Sequence, residues 1–234
     1  MSGKSIKAIS ISELAVISGG LTMLGVAFLL TLLISPVFLA HPNQFYGLSY
    51  YQEVQEYWQI IRYFASQQSW LTFKWLPLTV AGQRHFAEVR VMIWWGGVVT
   101  IVAGMLFALS LKWLKANYQL WRLVPGFQFL IWAWGVFLIF GVMNFDSWFI
   151  TFHQIFFHNQ DWIFTPKKEP IIRLLTSGFF LRYLVCWLLV TLGLVKLTQA
   201  RINRWLVDLL AKPSLDSTDN CWDHRNDDNR KNDQ

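Results

Sequence analysis

No charged side chain falls within residues 14–40, 91–111 or 123–145, and a fourth apolar run, Phe179 to Leu197, carries only Arg182 near its start and Lys196 near its end. A helix of about 20 apolar residues crosses the hydrocarbon core of a bilayer, so each run is long enough to span. The expected fold class is all-α: a polytopic membrane protein with four transmembrane helices and two extracytoplasmic loops carrying short interfacial helices. The expected domain organisation is one four-helix domain over 1–200 and a polar cytoplasmic tail over 201–234. From Lys212 onward that tail has too little apolar content to bury anything, which is the composition of disorder.

Charged residues make up 15% of the chain, against about 25% in soluble domains, and they crowd into loops and ends. The formal charge of +6 could suit nucleic acid, but no continuous basic stripe exists. The cations are expected beside membrane phospholipids, with no nucleic acid as partner. The two cysteines, Cys186 and Cys221, have no CxxC neighbour, so neither a disulfide framework nor a zinc knuckle is indicated. The first run far exceeds the roughly 7–15 residues of a signal-peptide core, and Phe38 spoils a small-x-small cleavage site, so a retained helix is expected.

Lys4 and Lys7 precede the first run, Lys112, Lys115 and Arg122 flank the short link after the second, and Lys196, Arg201 and Arg204 close the fourth. The positive-inside rule then makes both termini and residues 112–122 cytoplasmic. Residues 41–90 and 146–178 meet outside. In the first of these loops Tyr50, Val54, Tyr57, Trp58, Ile61 and Phe64 recur at helical spacing. Gln52, Glu53, Gln55, Glu56, Gln59 and Arg62 take the other side. Such a helix can lie in the membrane interface or pack across the tops of the spans, and both placements stay open.

The outer rim holds the chemistry. His85 and Glu88 are three residues apart, one helical turn, with Arg90 at the mouth of the second span; Asp146 and His153 are seven apart, two turns. An imidazole oriented by a carboxylate suits general acid–base work. His158, five beyond His153, points elsewhere. The plainer reading makes these imidazoles interfacial hydrogen-bonders that tie loops together. Two others make His85, Glu88, His153 and His158 the ligands of a metal-dependent hydrolase, or the chain a non-catalytic lipid- or quinone-binding scaffold. No G-x-S-x-G elbow is present and Cys186 lies within a span, so an enzyme of this kind takes its nucleophile from substrate or water.

The segment Phe145–Phe180 resembles the lipoprotein intramolecular transacylase (Lit) family of bacterial membrane proteins. The resemblance is carried by Phe152, His153, Phe156, Phe157, Asn159, Trp162, Pro166, Ile171, Ile172, Phe179 and Phe180, in the family's order. His85-Phe86-Ala87-Glu88-Val89-Arg90 is similar to the family's second signature, with Glu88 where that signature has Asp and Phe86 where it has Met. Thr176-Ser177 stand where a Pro-Glu pair is common, and Gly82 where an acid is expected. The resemblance implies a membrane acyltransferase without a cofactor, set in the bacterial cytoplasmic membrane with its site facing outward. Its substrate would be a lipoprotein whose N-terminal cysteine carries a diacylglyceryl thioether. The substrate's own α-amine would attack the middle glyceryl ester, giving the N-acyl lyso form. His153, backed by Asp146, would be the base and His85 the donor or acid, with the reversed assignment open. Glu88, Arg90, Asn159 and Trp162 would support them.

Overall fold

The structure, a computed structural model, describes residues 3–41 and 45–211. It contains α1 (Gly3–Ile34), α2 (Tyr50–Ala65), α3 (Val80–Ala116), α4 (Leu123–Met143), α5 (Phe145–Phe156) and α6 (Ser177–Ala211), joined by loops and short 3-10 turns, with no strand among the described residues. α1, α3, α4 and α6 are each long and apolar enough to cross a membrane. A helix bonds its own backbone groups internally, which hydrocarbon demands. The four expected spans are therefore the four long helices.

The helices outrun their uncharged cores. α3 has 37 residues, about 55 Å at 1.5 Å each, against a core of about 30 Å. Residues 80–90 thus stand above the hydrocarbon as a rigid post carrying Arg84, His85, Glu88 and Arg90. α6 likewise continues past residue 200, where the tail was expected to begin, as far as Ala211. The reason is apolar packing: Ile202 is buried in one cluster with Leu114, Leu120 and Leu123, against which Leu206 and Leu209 also pack. The disorder expected from Lys212 lies outside the described residues.

In the bundle α1 packs against both α3 and α6, and α4 rests on α6 and α1. Small residues permit the closest approach. A Cβ added at Gly25 would clash with the Thr100 side chain, so the α1–α3 crossing leaves no room for one. At one end of the bundle lie the start of α1, the 117–122 link and the end of α6. Here Lys7 sits over Trp113 and Lys115 over Trp205. At the other end the two long loops form a cap.

α2 is the lid of that cap. Ser49 and Gln52 form a reciprocal capping box at its start. Tyr57, Ile60, Ile61, Tyr63 and Phe64 are buried in one cluster with Phe86, Leu174 and Phe179. Of the two placements left open, the helix packs across the tops of the spans. Glu53 and Glu56, assigned to its polar face, are buried instead. Glu56 accepts from the backbone N–H groups of Lys74 (3.2 Å) and Trp75 (2.6 Å), which hold the descending loop, while Glu53 pairs with His41 at 2.8 Å. Burial raises the pKa of Glu56 and the N–H groups oppose that rise. Tyr50, assigned to the apolar face, is exposed.

Candidate functional site

Three pieces of chain meet at the cap end: the top of α3, the short helix α5, and the loop 157–169. α4 stops at Met143, Asn144 takes a non-helical backbone (φ −140°, ψ 43°), and α5 restarts at once in a new direction. His153 is the buried residue of α5, while Trp148, Ile150, Ile155 and Phe156 face outward.

The loop is sewn to α3 by polar contacts along its length. Thr79 caps α3, accepting from Gly82 N at 3.1 Å, and its hydroxyl donates to the buried Glu169 at 2.5 Å. One turn further on, Arg84 donates to both carboxylate oxygens of Asp161, at 2.7 and 3.1 Å. The Arg84 guanidinium holds the Asp161 carboxyl below its ordinary pKa. Next along the helix, Asn159 Nδ2 donates to Glu88 Oε1 at 2.8 Å. Asn159 also accepts from Asp161 N and, through its carbonyl, from Trp162 Nε1, each at 3.0 Å.

These ties press an aromatic box around two imidazoles. The rings of His85 and His153 lie 5.9 Å apart, centre to centre, tilted by 32°. Both residues are buried, 8% and 9% exposed, which separates them from ordinary interfacial histidines. Phe157 and Phe164 meet His85 edge-on, whereas Phe149 (4.2 Å) and Trp162 (4.9 Å) lie against His153.

His153 Nδ1 donates to the Phe149 carbonyl at 2.7 Å. A neutral imidazole carries one N–H, so Nε2 keeps the lone pair and is the basic nitrogen. Burial lowers the pKa of His153 below its ordinary value, with the Phe149 carbonyl opposing. The ring is therefore a neutral acceptor at pH 7. Beside it, His85 Nδ1 and Glu88 Oε2 are buried without a hydrogen-bond partner.

His85, Glu88, His153, Asn159 and Trp162 thus fall in one cluster, but two expected members do not. Asp146, assigned as the partner of His153, is exposed in the first turn of α5 and borders a separate cavity of 270 Å³ with Asn144 and Ser177. Two helical turns are about 11 Å along the axis, beyond a carboxylate's reach, and the carbonyl four residues back takes the proton of Nδ1 instead. Arg90 faces the other way. It donates to the Gln68 carbonyl and lies over the Tyr63 ring at 4.3 Å, tying α3 to the end of α2. Arg182 donates to the Phe38 carbonyl at 2.6 Å, and His158 is exposed away from the pair.

Three partners escaped the sequence reading. The Phe149 carbonyl carries no sequence mark, the Arg84–Asp161 pair spans 77 positions, and the Thr79–Glu169 bond spans 90. Among the described residues no three His, Cys, Asp or Glu gather as metal ligands would. Of the four residues weighed as ligands, His158 is exposed and stands apart, and Glu88 has one carboxylate oxygen held by Asn159. A separate cavity of 630 Å³ is an apolar groove between α4 and α6, lined by Val142, Leu181, Arg182 and Cys186 among others, and it does not include the imidazole pair.

Four helices long and apolar enough to span a membrane, a cap of two loops carrying short helices, and a buried imidazole pair beneath it define an all-helical integral membrane protein. The family model for the lipoprotein intramolecular transacylase Lit matches residues 10–180, so the chain belongs to that family of membrane acyltransferases. No curated protein matches the sequence. Among solved structures the fold is similar to the membrane integral lipoprotein intramolecular transacylase Lit from Bacillus cereus, at 20% identity and a TM-score of 0.73, covering 88% of this chain and 99% of that one. A structure of the same protein with H85A mutation is similar at 20% identity and a TM-score of 0.73, covering 89% of this chain and 97% of that one. At that identity the likeness carries the fold alone.

Proposed function

We propose that this chain moves the middle (sn-2) acyl chain of a bacterial lipoprotein's diacylglyceryl cysteine onto that cysteine's own α-amine. The observation that carries the reading is the buried pair itself, with His153 Nδ1 pinned to the Phe149 carbonyl and Nε2 left as a base. No serine or cysteine nucleophile is required, because the substrate supplies its amine.

An α-amine has a pKa of about 7.7–8.0 and reacts only when neutral. The neutral nitrogen attacks the ester carbonyl carbon, and the carbonyl π pair moves to oxygen. His153 Nε2 accepts the proton that the nitrogen sheds and returns it to the glyceryl oxygen as the C–O bond breaks. An N–H of His85 donates to the oxyanion while it exists. Amide and free hydroxyl result, with no net proton gained or lost. The surrounding Phe157, Phe164 and Trp162 exclude water, which would otherwise hydrolyse the ester.

In this reading the site faces the extracytoplasmic side of the bacterial plasma membrane. Lys7, Lys112, Lys115, Arg122, Lys196, Arg201 and Arg204 lie at the opposite end of the bundle, which supports a cytoplasmic position for that end. The outward residues of α5, Trp148, Ile155 and Phe156, suit headgroup depth among phospholipids. Mass spectrometry of one lipoprotein's N-terminal peptide, from cells with and without this protein, tests the reading. N-acyl lyso peptide should appear only with the protein, and its persistence with His85→Ala and His153→Ala variants that fold would favour a scaffold instead.

A further inference from the structure

We infer that the free oxygen of Glu88 is the docking point for the substrate's α-ammonium group, and that Glu88 selects lipids bearing a free amine. The inference rests on the transfer proposed above and names what the same site recognises. A carboxylate oxygen buried without a donor is costly, since an unmet charged acceptor forfeits its solvation. Glu88 is in that position: Oε1 accepts from Asn159 at 2.8 Å, while Oε2 is buried and accepts from no described residue.

The surroundings say what kind of donor is missing. Arg84, the nearest cation on the same helix face, spends Nε and Nη2 on Asp161, so it does not satisfy Glu88. Asn159 fixes the Glu88 carboxylate and, through its carbonyl, the indole of Trp162, which lies 4.9 Å from the His153 ring. Glu88 is also one turn beyond His85 on α3, on the membrane side of it. The open oxygen is therefore on the helix that carries His85 and is linked to His153 through Asn159 and Trp162. A primary ammonium has three N–H donors and a charge opposite to the carboxylate, the complement of a fixed anionic acceptor. After capture, one ammonium proton passes through His153 Nε2 to bulk solvent, which frees Nε2 again; the neutral amine then attacks, and the second proton it sheds is the one that His153 carries to the glyceryl oxygen. Glu88 accepts a hydrogen bond throughout and exchanges no proton.

The experiment uses the full-length protein in nanodiscs with three diacylglyceryl lipopeptides: one with a free α-amine, one N-acetylated, and one with hydrogen in place of the amine. The wild type should bind the free-amine lipopeptide roughly tenfold or more tightly than the other two, the usual worth of a hydrogen bond to a charged group. Glu88→Gln should erase that preference by weakening only the free-amine ligand, whereas Glu88→Asp should retain it. Equal wild-type affinity for all three ligands would overturn the inference. So would a Glu88→Gln protein that weakens for all three alike, because its role would then be to hold Asn159. His153→Gln separates the two ideas: it should keep the amine preference while turnover is lost. If the wild type shows the preference but makes no N-acyl lyso product, the transfer fails and the docking point stands.

Discussion

Replacing His153 by Gln removes the lone pair at Nε2 while leaving a polar side chain that can hydrogen-bond to the Phe149 carbonyl. Gln is the cleaner change than Ala. His153 is 9% exposed among Phe149, Phe157 and Trp162, and truncating a buried ring of that size costs about 2–5 kcal/mol in stability, which would blur the kinetics. A positioned base is worth roughly 10²–10⁴ in rate, or about 2.7–5.5 kcal/mol of barrier. Substrate affinity comes mainly from acyl chains, at about 0.8 kcal/mol per buried CH₂, and no chain contact is removed. The expected result is a kcat lowered by 10²–10⁴ with KM within a few-fold, read as conversion of a diacylglyceryl lipopeptide to its N-acyl lyso form by purified protein. His158→Ala, an exposed residue off the cluster, should lose less than threefold. A His153→Gln enzyme with most of its activity, beside an inactive His158→Ala, would refute the choice of base.

Three further outcomes follow from the same geometry. Asp146→Asn should keep turnover within about twofold, since the Phe149 carbonyl already holds His153; a hundredfold loss in the lipopeptide assay would restore the carboxylate as its partner. Gly25→Val should cost about 1–3 kcal/mol by overpacking the α1–α3 crossing and lower the thermal midpoint in detergent. The pKa of His153 is depressed in the folded state, so the folded protein binds fewer protons than the unfolded chain below the ordinary value of about 6.5. Stability should hold above that pH and fall as pH drops from it towards the folded pKa. His153→Gln should reduce that pH dependence without removing it, because burial also holds the pKa of the neighbouring His85 down, to about 4.

Much of the fold was legible because hydrocarbon imposes a length and forbids charge, so 14–40, 91–111 and 123–145 announced themselves. The ends were not legible. α6 runs to Ala211 because Ile202 finds a partner in Leu114 and Leu120, a contact between distant segments. The histidine pair could be foreseen because each member adjoins a span on the same expected side. Its orienting group could not, since a backbone carbonyl is common to every residue and Asp146 offered a plausible side chain at helical spacing. Glu53 and Glu56 misled for a related reason. A helical wheel sends carboxylates to water, but the loop at Lys74 and Trp75 has N–H groups that need a buried acceptor.

The central claim is that the acyl group moves within one molecule. Two diacylglyceryl lipopeptides of different peptide mass, only one carrying an isotopically labelled sn-2 chain, can be mixed with the protein in nanodiscs and followed by mass spectrometry. The account predicts that the label stays on its own peptide, leaving the sn-2 oxygen and appearing as the N-acyl group. Label on the other peptide's amine, or release of labelled free fatty acid as the main product, would contradict it.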